Sequence, residues 1–310
     1  MNGLSDAPQL LPATPERLLR RLEWRVIRRL DGLLQGDYRT LFYGHGLDFA
    51  DLREYEPRDD VRRIDWNVTA RMNSPYVRQY VEDRDITAWF LLDLSPSMGF
   101  GPAARPKERV LAEFVGTLAL LLARSGNRVG AILYNNRPER TIPPGSGRKQ
   151  MLRLSRELLV KRPAPAGATT DLSVLLSAGL NSFQRRSLVF VISDFFSEPG
   201  WERPLALLAR RHELIAVRLV DPRESTLPDA GMIIVEDAET GEQLMVDTSN
   251  RTFRRRFQEA AERREEQLRD STQQAGVALY TLSTEEDLVG AIVRMAALRK
   301  QRRPAPSRRR

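Results

Sequence analysis

From residue 86 onward, short apolar runs alternate with longer amphipathic stretches, and this alternation limits the possible folds more than any other feature. Strands are read at 86–93, 128–134, 188–193, 213–220 and 277–282. Helices are read between and after them, at about 107–124, 147–161, 171–182, 202–211, 252–275 and 285–299. Uninterrupted apolar strands separated by helices predict a mainly parallel sheet, buried on both faces. The expected architecture is α/β and doubly wound. Two segments depart from it. Residues 231–236 and 242–247 flank the polar turn Asp237-Ala238-Glu239-Thr240-Gly241 and predict an inserted β-hairpin, while Arg137–Pro143 reads as a short edge strand.

Upstream, Leu18, Leu22, Val26, Leu30 and Leu33/Leu34 recur at three- and four-residue spacing, so 15–35 is expected to be an amphipathic helix. Thr14-Pro15 gives it a sound start. Residues 36–85 are dense in Asp, Arg and aromatics, and only Tyr76–Val81 reads as a strand. The chain therefore divides into 1–35, an Arg/Asp-rich segment at 36–85 expected to pack on the main domain, a main domain at 86–298 with its hairpin at about 231–247, and a basic tail at 299–310.

The net charge of +8 is local to that tail, where seven of the last twelve residues are Lys or Arg. Without them the chain has 42 basic against 41 acidic residues. A near-neutral body argues against a large nucleic-acid surface. With no cysteine there are no disulfides and no thiolate metal sites. No apolar run is long enough to span a bilayer, and the first fifteen residues lack the basic and apolar regions of a signal peptide. The expected location is the cytoplasm.

The chemistry is concentrated at strand ends. Phe90-Leu91-Leu92 run into Asp93-Leu94-Ser95-Pro96-Ser97, an acid and two hydroxyls leaving a buried strand. A second apolar strand, Leu188–Ser193, ends in Asp194, and Gly167-Ala168-Thr169-Thr170-Asp171 opens the helix between the two. Ligands of doubly wound sheets bind beyond the strand C-termini, where the winding direction reverses. If the strand at 86–93 is first in the sheet and that at 188–193 fourth, Asp93, Ser95, Ser97, Thr170 and Asp194 converge there. Carboxylates with hydroxyls suit a hard cation such as Mg²⁺, with Mn²⁺ or Ca²⁺ as alternatives. The plainer readings are a helix cap or a metal-free hydrogen-bond network.

Asp-x-Ser-x-Ser, a later Gly-x-Thr loop and a later strand-end Asp together resemble the metal-ion-dependent adhesion site of von Willebrand factor A domains. That resemblance implies direct coordination by the hydroxyls, acids that often act through water, and an open position for an acidic side chain of a partner. Thr169 competes with Thr170 for the loop position, because Ala168 stands where a second glycine is commoner; the distance to the following Asp-Leu favours Thr170.

A second resemblance lies upstream. Arg53-Glu54-Tyr55-Glu56-Pro57-Arg58-Asp59-Asp60, then Arg62-Arg63-Ile64-Asp65-Trp66, Ala70-Arg71 and Val77-Arg78-Gln79-Tyr80 follow the motif of family 58 of the bacterial domains of unknown function. Arg58 departs from the usual glycine. Asp221-Pro222-Arg223-Glu224 and Glu239-Thr240-Gly241-Glu242 extend the likeness, which covers about 36–300. The family resemblance implies a von Willebrand A-like domain, no established enzymatic activity, and work beside MoxR-type AAA+ ATPases in maturing or remodelling protein complexes. Arg53, Asp59, Asp60, Arg62, Asp65, Arg71 and Arg78 are then candidates either for docking within the chain or for contact with the ATPase. Trp66, Tyr55 and Phe49 are expected to be core anchors.

Enzymatic readings find little support. Two histidines, at 45 and 212, have no partner at zinc-ligand spacing, and Gly145-Ser146-Gly147-Arg148-Lys149 lacks a phosphate-loop signature. A Mg²⁺-dependent phosphoryl hydrolase using Asp93 and Asp194 is the minor alternative, without an evident general base. The alternative from another class is binding of RNA or an anionic surface through the basic tail.

Overall fold

The computed structural model describes residues 14–23, 27–30, 51–56, 64, 66–72, 74–79, 86–102, 104–160 and 169–302. Two compact units are present, one made of residues 1–41 and 87–310 and the other of 42–86. In the smaller unit, β1 (Asp51–Glu54) pairs antiparallel with β2 (Tyr76–Gln79), and the helix Trp66–Met72 lies between them in sequence.

The larger unit is built on six strands: β3 (Thr87–Asp93), β4 (Arg128–Tyr134), β5 (Pro138–Gly145), β6 (Leu188–Ser193), β7 (Glu213–Val220) and β10 (Ala278–Ser283). Their order is β10-β7-β6-β3-β4-β5; every neighbouring pair is parallel except β4 with the edge strand β5. The first strand of this sheet thus lies beside the fourth, and the winding reverses between them. The doubly wound, mainly parallel sheet is as expected. Strands β8 (Met232–Glu236) and β9 (Gln243–Asp247) form the separate hairpin after β7.

Side-chain alternation sends the residues of β3 to opposite faces. Trp89 and Leu91 join Ile132, Val189 and Val191 in a buried cluster with Leu172, Leu175 and Leu176 of the helix Leu172–Ser182 and Leu205 and Leu208 of the helix Glu202–Arg211. On the other face Phe90 stacks on Phe190, with centroids 5.2 Å apart. The long helix Lys107–Arg124 contacts β4 and β7. Each fully buried side chain of this kind stabilises the fold by about 1.5–3 kcal/mol. Both faces are therefore sealed, and the strand ends are held rigidly.

The N-terminal helix Pro15–Leu22 is capped by Thr14, whose hydroxyl accepts from the Arg17 amide. It packs on the helices Lys107–Arg124 and Gly147–Leu159. A Cβ at Gly116 would stand 2.7 Å from Leu22 Cδ1, so glycine permits that close approach. Leu18, Leu22 and Leu30 are fully buried as their spacing predicts, whereas Val26, Leu33 and Leu34 lie outside the described residues. Helix Gly147–Leu159 stops two residues before the expected 161. The tail expected from 299 begins later, because the last helix, Leu288–Arg302, takes in 299–302, with Arg299 buried and paired with Glu213. Residues 303–310 lie outside the described residues, and no helix among the described residues is long and apolar enough to cross a membrane.

Candidate functional site

Asp93 is fully buried at the end of β3, level with Tyr134 of β4. Its Oδ1 accepts the Ser95 amide at 2.9 Å and its Oδ2 accepts the Ser193 hydroxyl at 2.6 Å. Ser95 Oγ in turn lies 3.1 Å from Ser97 Oγ, where Pro96–Gly99 makes a 3₁₀ turn. The hydroxyl pair is thus fixed to the acid through one short turn.

Burial, then the nearby Asp194 charge, pushes the Asp93 carboxyl up to about 6; bonds from Ser193 and Ser95 oppose this. The folded state therefore binds the Asp93 proton more tightly than the unfolded chain. In chelator, this group's contribution should fall as pH rises from about 4 to about 6, by up to about 3 kcal/mol, and stay level above. Denaturant titrations of wild type and Asp93→Asn across that range should show the difference narrowing or reversing in favour of the asparagine as pH rises. A pH-independent difference would contradict this.

Asp194 follows β6, with Phe195 in the left-handed region at φ 61°. That conformation is uncommon outside glycine. It lets the Phe196 amide return to Asp194 Oδ1 at 3.0 Å and the Phe195 amide to Ser193 Oγ at 2.8 Å. The Phe195 ring is anchored edge-on to Trp201. Asp194 Oδ2 accepts from the fully buried Lys107 ammonium at 2.6 Å, and the same ammonium donates to Glu224. Glu224 belongs to a capping box with Asp221, whose other oxygen takes the Thr284 hydroxyl at 2.6 Å. Burial raises the Glu224 carboxyl, and Lys107 opposes the shift.

Thr170, nearly fully buried, precedes Asp171, which caps the helix Leu172–Ser182 through the Ser173 amide. The Asp171 amide donates to the Tyr134 hydroxyl at 2.9 Å. Burial, with the charges of Asp93, Asp171 and Glu239 adding to it, pushes that phenol up to about 12, so it stays neutral. Thr170 engages the hairpin turn: its amide donates to Glu239 Oε2 at 3.0 Å and its hydroxyl to Glu239 Oε1.

A cleft of about 560 Å³ has Ser97, Asp194, Glu224 and Glu239 in its wall, while Asp93, Ser95 and Thr170 lie behind it. Seven of its lining residues are acidic and two, Arg218 and Arg264, are basic. Asp93 bonds Ser95, Ser95 bonds Ser97, Ser97 shares the cleft with Asp194 and Glu239, and Glu239 holds Thr170. The five residues expected from sequence therefore lie in one connected neighbourhood. The others fare differently. Arg71 is exposed; Arg53 and Arg78 lie on β1 and β2; Asp59, Asp60, Arg62 and Asp65, like Phe49, fall outside the described residues. Trp66 is corrected: at 69% exposure it is no core anchor, because the short helix Trp66–Met72 turns it outward. Tyr55 is half-buried.

Lys107, Glu224, Ser193 and Glu239 were missed by the sequence reading. Lys107 carried a signal: it is one of four lysines in an arginine-rich chain, and it stands at a helix start, where a cation opposes the helix dipole unless paired.

The oxygens of Asp93, Ser95, Ser97 and Thr170 are of the type a hard cation takes and keep spare lone pairs after the bonds described. Asp194 is already compensated by Lys107, and among the described residues no three acidic or histidine side chains are grouped as a metal site.

Comparison with known proteins matches residues 51–267 to the family described as "Protein of unknown function DUF58". Uncharacterized proteins of Mycobacterium tuberculosis and Mycobacterium bovis are each 35% identical over 303 residues, covering 97% of this chain and 93% of their own length. Among solved structures, the conserved hypothetical protein BatB from Bacteroides thetaiotaomicron aligns over 70% of this chain and 99% of its own, with 13% identity and a TM-score of 0.44. Manganese-loaded Plasmodium vivax TRAP aligns over 43% of this chain and 57% of its own, with 20% identity and a TM-score of 0.34. The extent of the family match and of the mycobacterial alignments places this chain in the DUF58 family.

Proposed function

We propose that this protein is a non-enzymatic interaction module of the von Willebrand A-like type, which holds a divalent cation, Mg²⁺ in the first instance, and uses it to grip an acidic side chain of a partner protein. The observation that carries this reading is the Asp93–Ser95–Ser97 chain of bonds at the sheet's switch point, opening on an acidic cleft shared with Asp194. Asp93, Ser95, Ser97 and Thr170 would hold the ion, with Asp194 assisting. The ion would supply positive charge where the protein's own groups leave an excess of carboxylate. A partner's carboxylate entering this cleft would otherwise meet repulsion, so binding depends on the cation.

The partner we propose is a MoxR-type AAA+ ATPase together with a client protein in the cytoplasm; nucleotide-driven motion of the ATPase would act on the captured client. The family motif in the 42–86 unit supplies the ATPase-facing candidates Arg53, Asp59, Asp60, Arg62, Asp65, Arg71 and Arg78. The exposed Trp66, on the same short helix as Arg71, adds an aromatic anchor of the kind that dominates protein interfaces. Co-purification with and without Mg²⁺ tests the reading. Asp93→Ala with Ser95→Ala should abolish the Mg²⁺-dependent fraction and leave the fold intact. Full capture by that double variant in EDTA would sink the mechanism.

A further inference from the structure

The hairpin makes a contact that a passive insertion does not need. Glu239, at its turn, places one carboxylate oxygen on the Thr170 amide and the other on the Thr170 hydroxyl. Thr170 is nearly fully buried, with this half-buried carboxylate covering it. The turn that presents it is ordered from within. Asp237 Oδ1 accepts the Glu239 and Thr240 amides at 2.9 and 2.8 Å, and Gly241 closes the turn at φ 74°. The strands behind it are little anchored: Met232, Ile234, Leu244 and Met245 are each more than 60% exposed. Glu239 also lines the cleft that holds Ser97 and Asp194.

We infer that Glu239 is a resident ligand: this chain fills, with its own side chain, the position at which the site takes a partner's carboxylate. The inference rests on the reading of the cleft as a carboxylate-binding site. It narrows the partner's chemistry to a glutamate carried on a tight acidic turn. It also makes partner binding an exchange, in which the hairpin tip leaves Thr170 before the incoming acid arrives. Because Glu239 is tethered, it competes at an effective concentration in the millimolar range or above, so free ligand binds weakly until it is displaced or removed.

The test uses full-length protein and, as probe, a labelled peptide copying Val235–Gln243, followed by fluorescence anisotropy. Glu239→Ala should bind the peptide at least about tenfold more tightly than wild type, by removal of the tethered competitor. Adding Thr170→Val to Glu239→Ala should abolish that gain. Hydrogen exchange at the Thr170 amide should quicken in Glu239→Ala. Glu239→Gln, which keeps the side chain's size and can still bond Thr170 while losing the charge, should gain less than the alanine variant, and circular dichroism of each variant checks that the fold is kept. Equal peptide affinity in wild type and Glu239→Ala, with unchanged exchange at Thr170, overturns the inference. Running both arms in Mg²⁺ and in chelator separates the two claims. A preference for Glu239→Ala that persists in chelator upholds the resident ligand and goes against the cation. No preference in either condition, while Mg²⁺ still stabilises the protein, overturns the resident ligand alone.

Discussion

Replacing Lys107 with methionine should destabilise the protein by about 3–5 kcal/mol, the usual consequence of removing one partner from a buried ion pair. The ammonium has no exposed surface and donates to both Asp194 and Glu224. Methionine fills most of the space but leaves two carboxylates facing each other in a dry environment. For a chain of this size the unfolding midpoint should drop by about 5–8 °C. Asp194→Asn in the same background should recover part of the loss, because it removes one of the stranded charges; a double-mutant cycle measures that coupling. Lys107→Met alone should tighten Mg²⁺ binding, since it frees Asp194 from its internal cation. Added Mg²⁺ should then restore part of the lost stability by linkage. A loss below about 1 kcal/mol would mean that the triad is not a structural charge centre.

The second large effect concerns the hydroxyls. Ser95→Ala with Ser97→Ala removes two neutral oxygens 3.1 Å apart, of which Ser97 lines the cleft, and should weaken Mg²⁺ by about 100-fold or more. Their mutual bond is deleted whole, but the Ser95 side chain also bonds the buried Asp93 carboxylate, so the fold should lose about 1–2 kcal/mol. Calorimetric titration of the variant against wild type reads the affinity. Unchanged affinity would remove these hydroxyls from the ligand set.

Much of this arrangement is legible in the sequence. Apolar runs such as Phe90-Leu91-Leu92 and Val189–Ile192, short and alternating with amphipathic stretches, fit central strands of a covered sheet, and their terminal acids follow from chain direction. The sheet order that brings β3 beside β6 then places Asp93 near Asp194 without further information. What stayed hidden were contacts whose partners lie far apart in sequence. Lys107 meets Asp194 across 87 residues and Glu239 meets Thr170 across 69, and no periodicity reports such a pairing. The outward turn of Trp66 was hidden for a different reason. A tryptophan in an aromatic-rich segment reads as core by composition, yet a seven-residue helix has only one buried stripe, and composition does not say which residue occupies it.

Thermal unfolding in excess Mg²⁺ and in chelator, for wild type and for Ser95→Ala with Ser97→Ala, tests the cation-dependent site most directly. At a free Mg²⁺ concentration about 100 times its dissociation constant, wild type should gain about 2.7 kcal/mol, seen as a raised midpoint. The double variant should gain almost nothing at the same concentration. The same midpoint for wild type in Mg²⁺ and in chelator would contradict the account.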